Sequence, residues 1–178
     1  MKRFAQLFTQ LDQTTRINTK VAALAQYFAE ADDQDKLWTV AMLSHRRPKR
    51  TVNTTRLREW AAGYAGIPLW LFEESYGVVG DLAETIALVA PDPEEEHDES
   101  LTYWVNYIKE LDKLEEEEKR ERVLHAWQGL DKTERIVFNK LITGSFRIGV
   151  SQKLMTRALS QYTGIEEKYG PGPQFFAL

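Results

Sequence analysis

Residues 131–164 read DKTERIVFNKLITGSFRIGVSQKLMTRALSQYTG, and the period within them sets the fold. Ile136, Val137, Lys140 and Leu141 recur at helical spacing behind Asp131, and Glu134, three residues on, completes the pattern of a capping box. Thr143-Gly-Ser breaks the period. A loop flanked by Gly144 and Gly149 follows, and Ser151 stands as the cap of a second helix carrying Leu154, Met155, Ala158, Leu159 and Tyr162 on one face. Helix, short basic loop, helix is the local unit.

The same grammar extends through the chain. Ile17, Val21, Leu24 and Phe28 lie behind Thr14 and Thr15, either of which is placed to cap. Leu37, Val40, Ala41 and Leu43 follow Asp32 and Asp33, and Leu57, Trp60, Ala61 and Tyr64 follow Asn53 and Thr54 up to a stop at Gly66 and Pro68. Residues 74–80 read as a bend leading to Asp81, which with Glu84 opens LAETIALVA as a capping box. PDPEEEHDES is a charged surface loop and the candidate link between two lobes. Beyond it, Leu101, Trp104, Val105, Ile108 and Leu111 start behind Ser100. Val123, Leu124 and Trp127 carry the next segment, with Glu115 to Glu118 as its solvated, dipole-compatible start. The expectation is an all-α bundle of about 8–10 helices.

A chain of 178 residues, 43% hydrophobic and without cysteine, can build a core but no disulfide, thiolate zinc site or cysteine nucleophile. No segment approaches the roughly 18 apolar residues of a membrane span and the N-terminus has no apolar signal core, so a cytoplasmic location is expected, with no membrane partner. His45, His97 and His125 are too scattered in sequence for a metal site. Asp81 and Glu84 read as a cap rather than an acid/base pair.

The net charge of −4 speaks against nucleic acid until its distribution is considered. Ser44 to Arg58 holds six basic residues and no acid, Lys140 to Arg157 holds four and no acid, and Glu73 to Glu99 holds ten acids and no Lys or Arg. Phosphate binding depends on the field within about a Debye length, ~8 Å at physiological salt, so acid-free basic segments can serve phosphates on an acidic chain.

Both basic segments occupy the same place in an internal repeat. Leu11-Asp12 opens a stretch that ends at Tyr64-Ala-Gly-Ile67, and Leu111-Asp112 opens one that ends at Tyr162-Thr-Gly-Ile165. Aligning them pairs Gln26 with Gln128, Leu43 with Ile142, Ser44 with Thr143 and Asn53 with Ser151. The loops 44–53 and 143–151 thereby become equivalent, and two repeats about a pseudo-two-fold axis would present both to the two strands of a duplex. Each loop leads into a helix N-terminus, where backbone N–H groups and nearby Arg or Lys suit an anion. Phe146 either meets sugars or anchors its loop to the core, the second carrying more weight. Such loops read no bases. The competing reading is a helical protein-interaction module in which the tryptophans and the acidic loop bind a partner and the basic loops are only surface.

Lys140-LITGSFRIGVSQKLMTRALSQYTG164 resembles the end of the N-terminal DNA-binding domain of ATP-dependent DNA ligases, where a helix ends in a Gly-x-(Phe/Leu)-Arg-(Ile/Leu/Val)-Gly loop. Tyr76-GVVGDLAET85 is similar to another segment of that family, and Arg46-RPKR50 to the basic loop of its bacterial members. The resemblance covers residues 1–167, divided into repeat A (about 4–67), a connector (68–99) and repeat B (about 100–165), with 168–178 a linker or atypical tail. It implies a monomeric, sequence-independent binder of nicked duplex DNA, acting in repair or replication beside the ligase's own catalytic domains in a bacterial cytoplasm. It further implies that Arg46, Arg47, Lys49, Arg50, Thr51, Gly144, Arg147, Gly149, Ser151 and Lys153 face DNA. The Lys-x-Asp-Gly motif of the family's nucleotidyl-transfer core is not found, and Lys168-Tyr-Gly-Pro lacks the aspartate. No catalysis and no cofactor are therefore expected of this chain, ATP and Mg2+ belonging to the catalytic core.

Overall fold

A computed structural model describes residues 1–44, 46 and 49–164, and among them ten α-helices and no strand. His45, Arg47 and the segment 168–178 lie outside the described residues, as does Ile165 at the end of the second repeat. The helices group into two units: Met1–Arg47, Ser100–Thr102 and Arg147–Leu178 form the first, Pro48–Glu99 and Tyr103–Phe146 the second.

In the first unit α1 (Lys2–Asp12) and α2 (Ile17–Glu30) pack through complementary stripes, Phe4, Leu7, Phe8 and Leu11 against Val21, Leu24, Ala25 and Phe28. Each of these side chains except Ala25 contributes about 1.5–3 kcal/mol by leaving water. α2 also packs against α10 (Gln152–Thr163), which buries Leu154, Met155 and Ala158 and brings Tyr162 to 6.2 Å from Phe28. Next comes α3 (Asp33–Leu43). Its Thr39 hydroxyl sits 2.7 Å from that of Tyr27, whose pKa burial pushes up to about 12. Asp35 accepts from the N–H (2.9 Å) and hydroxyl (2.6 Å) of Thr102, so a carboxylate of α3 caps the helix that begins at Leu101.

Several local expectations are corrected here. Neither Thr14 nor Thr15 caps α2: Arg16 holds the cap position, and the Thr14 hydroxyl accepts the Arg16 N–H instead. Asp32 holds the cap position of α3 without a side-chain bond. Ile17 and Leu37, placed on apolar faces by their spacing, are 55% and 53% exposed.

The second unit holds α4 (Thr54–Ala65), α5 (Leu69–Val79), α6 (Leu82–Val89), most of α7 (Leu101–Leu111), α8 (Glu116–Gly129) and α9 (Lys132–Thr143). Trp104, Trp127, Val137, Phe138, Leu57, Phe72 and Ile86 are fully buried in it. The Trp127 indole donates to Asn139 Oδ1 at 2.8 Å, and Asn139 Nδ2 donates to the Ala83 carbonyl, whereas the buried Trp104 Nε1 has no hydrogen-bond partner. Arg135, 2% exposed, donates to the carbonyls of Trp127 and Pro91. The acidic loop is tied down further by the N–H groups of Glu94, Glu95 and His97, which donate to the carbonyls of Gln128 and Gly129.

The expected bend at 74–80 is the second half of α5. Gly77, Val78 and Val79 are poor helix formers and give no apolar stripe. The capping box at Asp131 and Glu134 forms in full, whereas Asp81 accepts the Glu84 N–H at 2.9 Å and gives its other oxygen to Lys140 Nζ at 2.6 Å. No helix among the described residues is long and apolar enough to cross a membrane.

Candidate nucleic-acid interface

The site residues fall where helices end and begin. In the second unit, α9 ends at Gly144, whose φ of +71° is the left-handed conformation that ends a helix with its last carbonyls satisfied: the Ser145 N–H reaches the Lys140 carbonyl at 2.9 Å. The carbonyl of Ile142 turns to the other basic segment and accepts from the N–H groups of Thr51 (3.0 Å) and Val52 (3.4 Å). Arg50 follows alongside, its backbone N 3.6 Å from where a Cβ on Gly144 would stand. From α8, Lys119 Nζ donates to the Thr51 carbonyl at 3.0 Å. Asn53 Oδ1 then accepts the Thr55 and Arg56 N–H groups and starts α4. Phe146 is 1% exposed, so it anchors its loop to the core.

In the first unit the partners are exchanged. The Val150 N–H donates to the Leu43 carbonyl at 3.0 Å, and the Arg46 N–H donates to the Ala41 carbonyl as α3 ends. Ser151 Oγ accepts the Leu154 N–H and starts α10. The repeat alignment pairs Leu43 with Ile142 and Val52 with Val150. The bond from Val52 to Ile142 and the bond from Val150 to Leu43 are therefore the same interaction with the repeats interchanged, one in each unit.

Electrostatically the basic residues separate into committed and available groups. Lys49 Nζ lies 3.1 Å from Asp112 Oδ2, Arg56 pairs with Glu59 and Arg58 with Glu73. Lys140 belongs to Asp81: burial alone would raise that carboxyl's pKa, but the lysine and two backbone N–H groups outweigh it and hold it below the ordinary value. Arg157 is held by Asn18 at 3.0 Å. Arg46, Arg50 and Lys153 are exposed and have no carboxylate partner among the described residues. Arg147 and Gly149 are exposed too, as is the cap Ser151. Thr51 is buried, and its Oγ1 has no hydrogen-bond partner. Arg47 lies outside the described residues.

Sequence reasoning missed two residues of this neighbourhood. Lys119 supports Thr51 from a helix whose start reads as merely acidic, and Asp112 brings a carboxylate to a loop that is acid-free only along the chain. His97 and His125, scattered in sequence, lie with ring centroids 4.7 Å apart and planes tilted by 35°, yet no group of His, Cys, Asp or Glu among the described residues is arranged to hold a metal.

The arrangement provides exposed cations, one loop flanked by two glycines and two capped helix starts, features that suit contact with phosphate. No curated protein matches the chain. A family model described as DNA ligase N terminus matches residues 1–160. The chain accordingly belongs to that family, the N-terminal domain of ATP-dependent DNA ligases.

Proposed function

We propose that this domain grips nicked duplex DNA without regard to sequence, through sugar and phosphate contacts on its minor-groove side, and so holds the substrate of ligation in repair or replication. The observation that carries the reading is the reciprocal pair of loop bonds. The two basic loops are each clamped to the helix end of the opposite repeat, as two equivalent phosphate-binding elements meeting the two strands of a duplex would be. Arg46, Arg47, Lys49, Arg50, Arg147 and Lys153 supply charge. Gly144 and Gly149 allow close backbone approach, Ser151 sets a helix start, and Thr51 holds the loop's shape. The Lys49 pair with Asp112 opens when a phosphate competes for the lysine, because an ion pair this exposed is worth at most about 1 kcal/mol. Adenylation and sealing, with ATP and Mg2+, belong to the ligase's catalytic domains, which are this domain's protein partners; the domain itself is a non-catalytic monomer of the bacterial cytoplasm.

Titration of a labelled nicked duplex over a range of salt concentrations tests this. Binding should fall steeply with salt, on the order of tenfold or more between 50 and 200 mM for a handful of phosphate contacts, and be alike for unrelated sequences. Reversing the charge of Arg46, Arg47, Lys49 and Arg50 together should abolish it. Undiminished affinity in that variant, or no binding at low salt, defeats the proposal.

A further inference from the structure

Along α5, Trp70, Leu71, Glu74, Gly77 and Val78 share one side by helical spacing, and that side is exposed: Trp70 by 66%, Val78 by 87% and Leu71 by 38%. Leu69, before them, is 44% exposed, and Phe72 is the one fully buried residue of the helix. Scattered surface leucines need no explanation, but a tryptophan with three aliphatic neighbours on one short helix is a surface awaiting a partner.

The charge around it says which partner. From Glu59 to Ile108 there are eleven acids and no Lys or Arg; Arg58 and Lys140, from outside that stretch, pair with Glu73 and Asp81 and leave Glu74 and Glu84 without a basic partner among the described residues. Glu74 stands on the exposed side itself, and Glu84 is exposed on α6, the helix packed beside α5. Phosphates are repelled here, so this is no extension of the DNA surface. A second copy would set acid against acid across the same helix, an arrangement that costs rather than contributes. A complementary occupant has apolar side chains at helical spacing and Lys or Arg between them.

We infer that the exposed side of α5 is a docking surface for a basic amphipathic helix of a partner protein, its apolar side chains seated on Trp70, Leu71 and Val78 and its cations facing Glu74 and the surrounding acids. This goes beyond DNA binding and needs none of the same residues.

The probe is a fluorescein-labelled amphipathic Leu/Lys peptide of about 14 residues, long enough to form a helix on a surface, titrated into the full chain. Two controls accompany it: a Leu/Glu peptide, and a Ser/Lys peptide of the same charge. The Leu/Lys peptide should bind about tenfold or more tightly than either control, and Trp70→Ser with Val78→Ser should remove that margin, as loss of a central aromatic anchor does. Both side chains are exposed, so this variant should keep the helical circular dichroism and thermal midpoint of the parent, and its affinity for nicked duplex. Glu74→Lys, which spares the apolar contact, should weaken the peptide about threefold or more. Equal binding of the Ser/Lys peptide would reduce the face to general acidity and overturn the inference, as would an unaffected Trp70/Val78 variant. Self-association of the parent in sedimentation velocity, lost in that variant, would assign the face to a second copy instead.

Discussion

Two residues of the loop region expose opposite aspects of its design. Gly144 holds a φ of +71°, and a Cβ there would meet nothing closer than 3.6 Å, so the cost of Gly144→Ala is conformational and not steric. About 1–2 kcal/mol of stability should be lost in urea titration, and DNA affinity should fall with it if the loop's shape matters. Thr51 is the converse case. Its hydroxyl is buried without a partner, a state that costs about 1–3 kcal/mol, while its N–H and carbonyl are both bonded. Thr51→Val keeps the shape and removes the orphan. The variant should be as stable as the parent or about 1 kcal/mol more stable, with affinity for nicked duplex within about twofold. A large loss of affinity without loss of stability would mean that the hydroxyl itself reaches DNA.

At the scale of elements, what was legible followed from how local its cause is. Asn53, Asp131 and Ser151 act as caps because a side chain and an N–H two or three residues away decide the matter between them. The start of α7 behaves differently: its capping carboxylate, Asp35, lies on α3, and spacing around Ser100 cannot announce it. α5 failed for another reason, since its exposed side is apolar and its buried side is a single Phe72, leaving no amphipathic contrast to detect. Of the candidate site, the basic residues and the caps could be read from the sequence. Their reciprocal clamping, the support from Lys119 and the pairing of Lys49 with Asp112 could not, because each joins residues far apart in the chain.

The joint between α6 and α9 gives a prediction of the same scale. Asp81 caps α6 and pairs with Lys140 of α9, and its pKa is lowered in the folded state. The carboxylate therefore contributes stability that is present above the ordinary unfolded value, about 3.9, and is lost as pH falls through the lower folded value. Asp81→Asn should be less stable than the parent at pH 7, and the gap should narrow as pH is lowered through the carboxylate range. Denaturant midpoints at a series of pH values check this, and a gap that stays constant to low pH would show that capping geometry, not charge, is what Asp81 provides.

For the whole molecule, the proposed function requires an acidic protein to hold a polyanion. Net charge acts over distances that salt sets, about 30 Å at 0.01 M and about 8 Å at 0.15 M, whereas contacts between arginines and phosphates persist at both. The loop carrying Glu94, Glu95 and Glu96 is tied back to Gln128 and Gly129 and takes no part in the proposed contacts. Replacing those three glutamates by glutamine moves the formal charge of −4 three units towards zero while leaving the basic loops untouched. If acids repel DNA only through the long-range field, this variant should associate a few-fold faster and bind a few-fold tighter at about 0.01 M salt and be indistinguishable from the parent at about 0.15 M. Arg147→Ala should show the other behaviour, a loss for all sequences that persists at moderate salt and a flatter salt slope, by about one for a single phosphate contact. Stopped-flow association and equilibrium titration across the salt range separate the two. An acidic-loop effect that survives at 0.15 M would place that loop within about one Debye length of the DNA and move the interface away from the two basic loops.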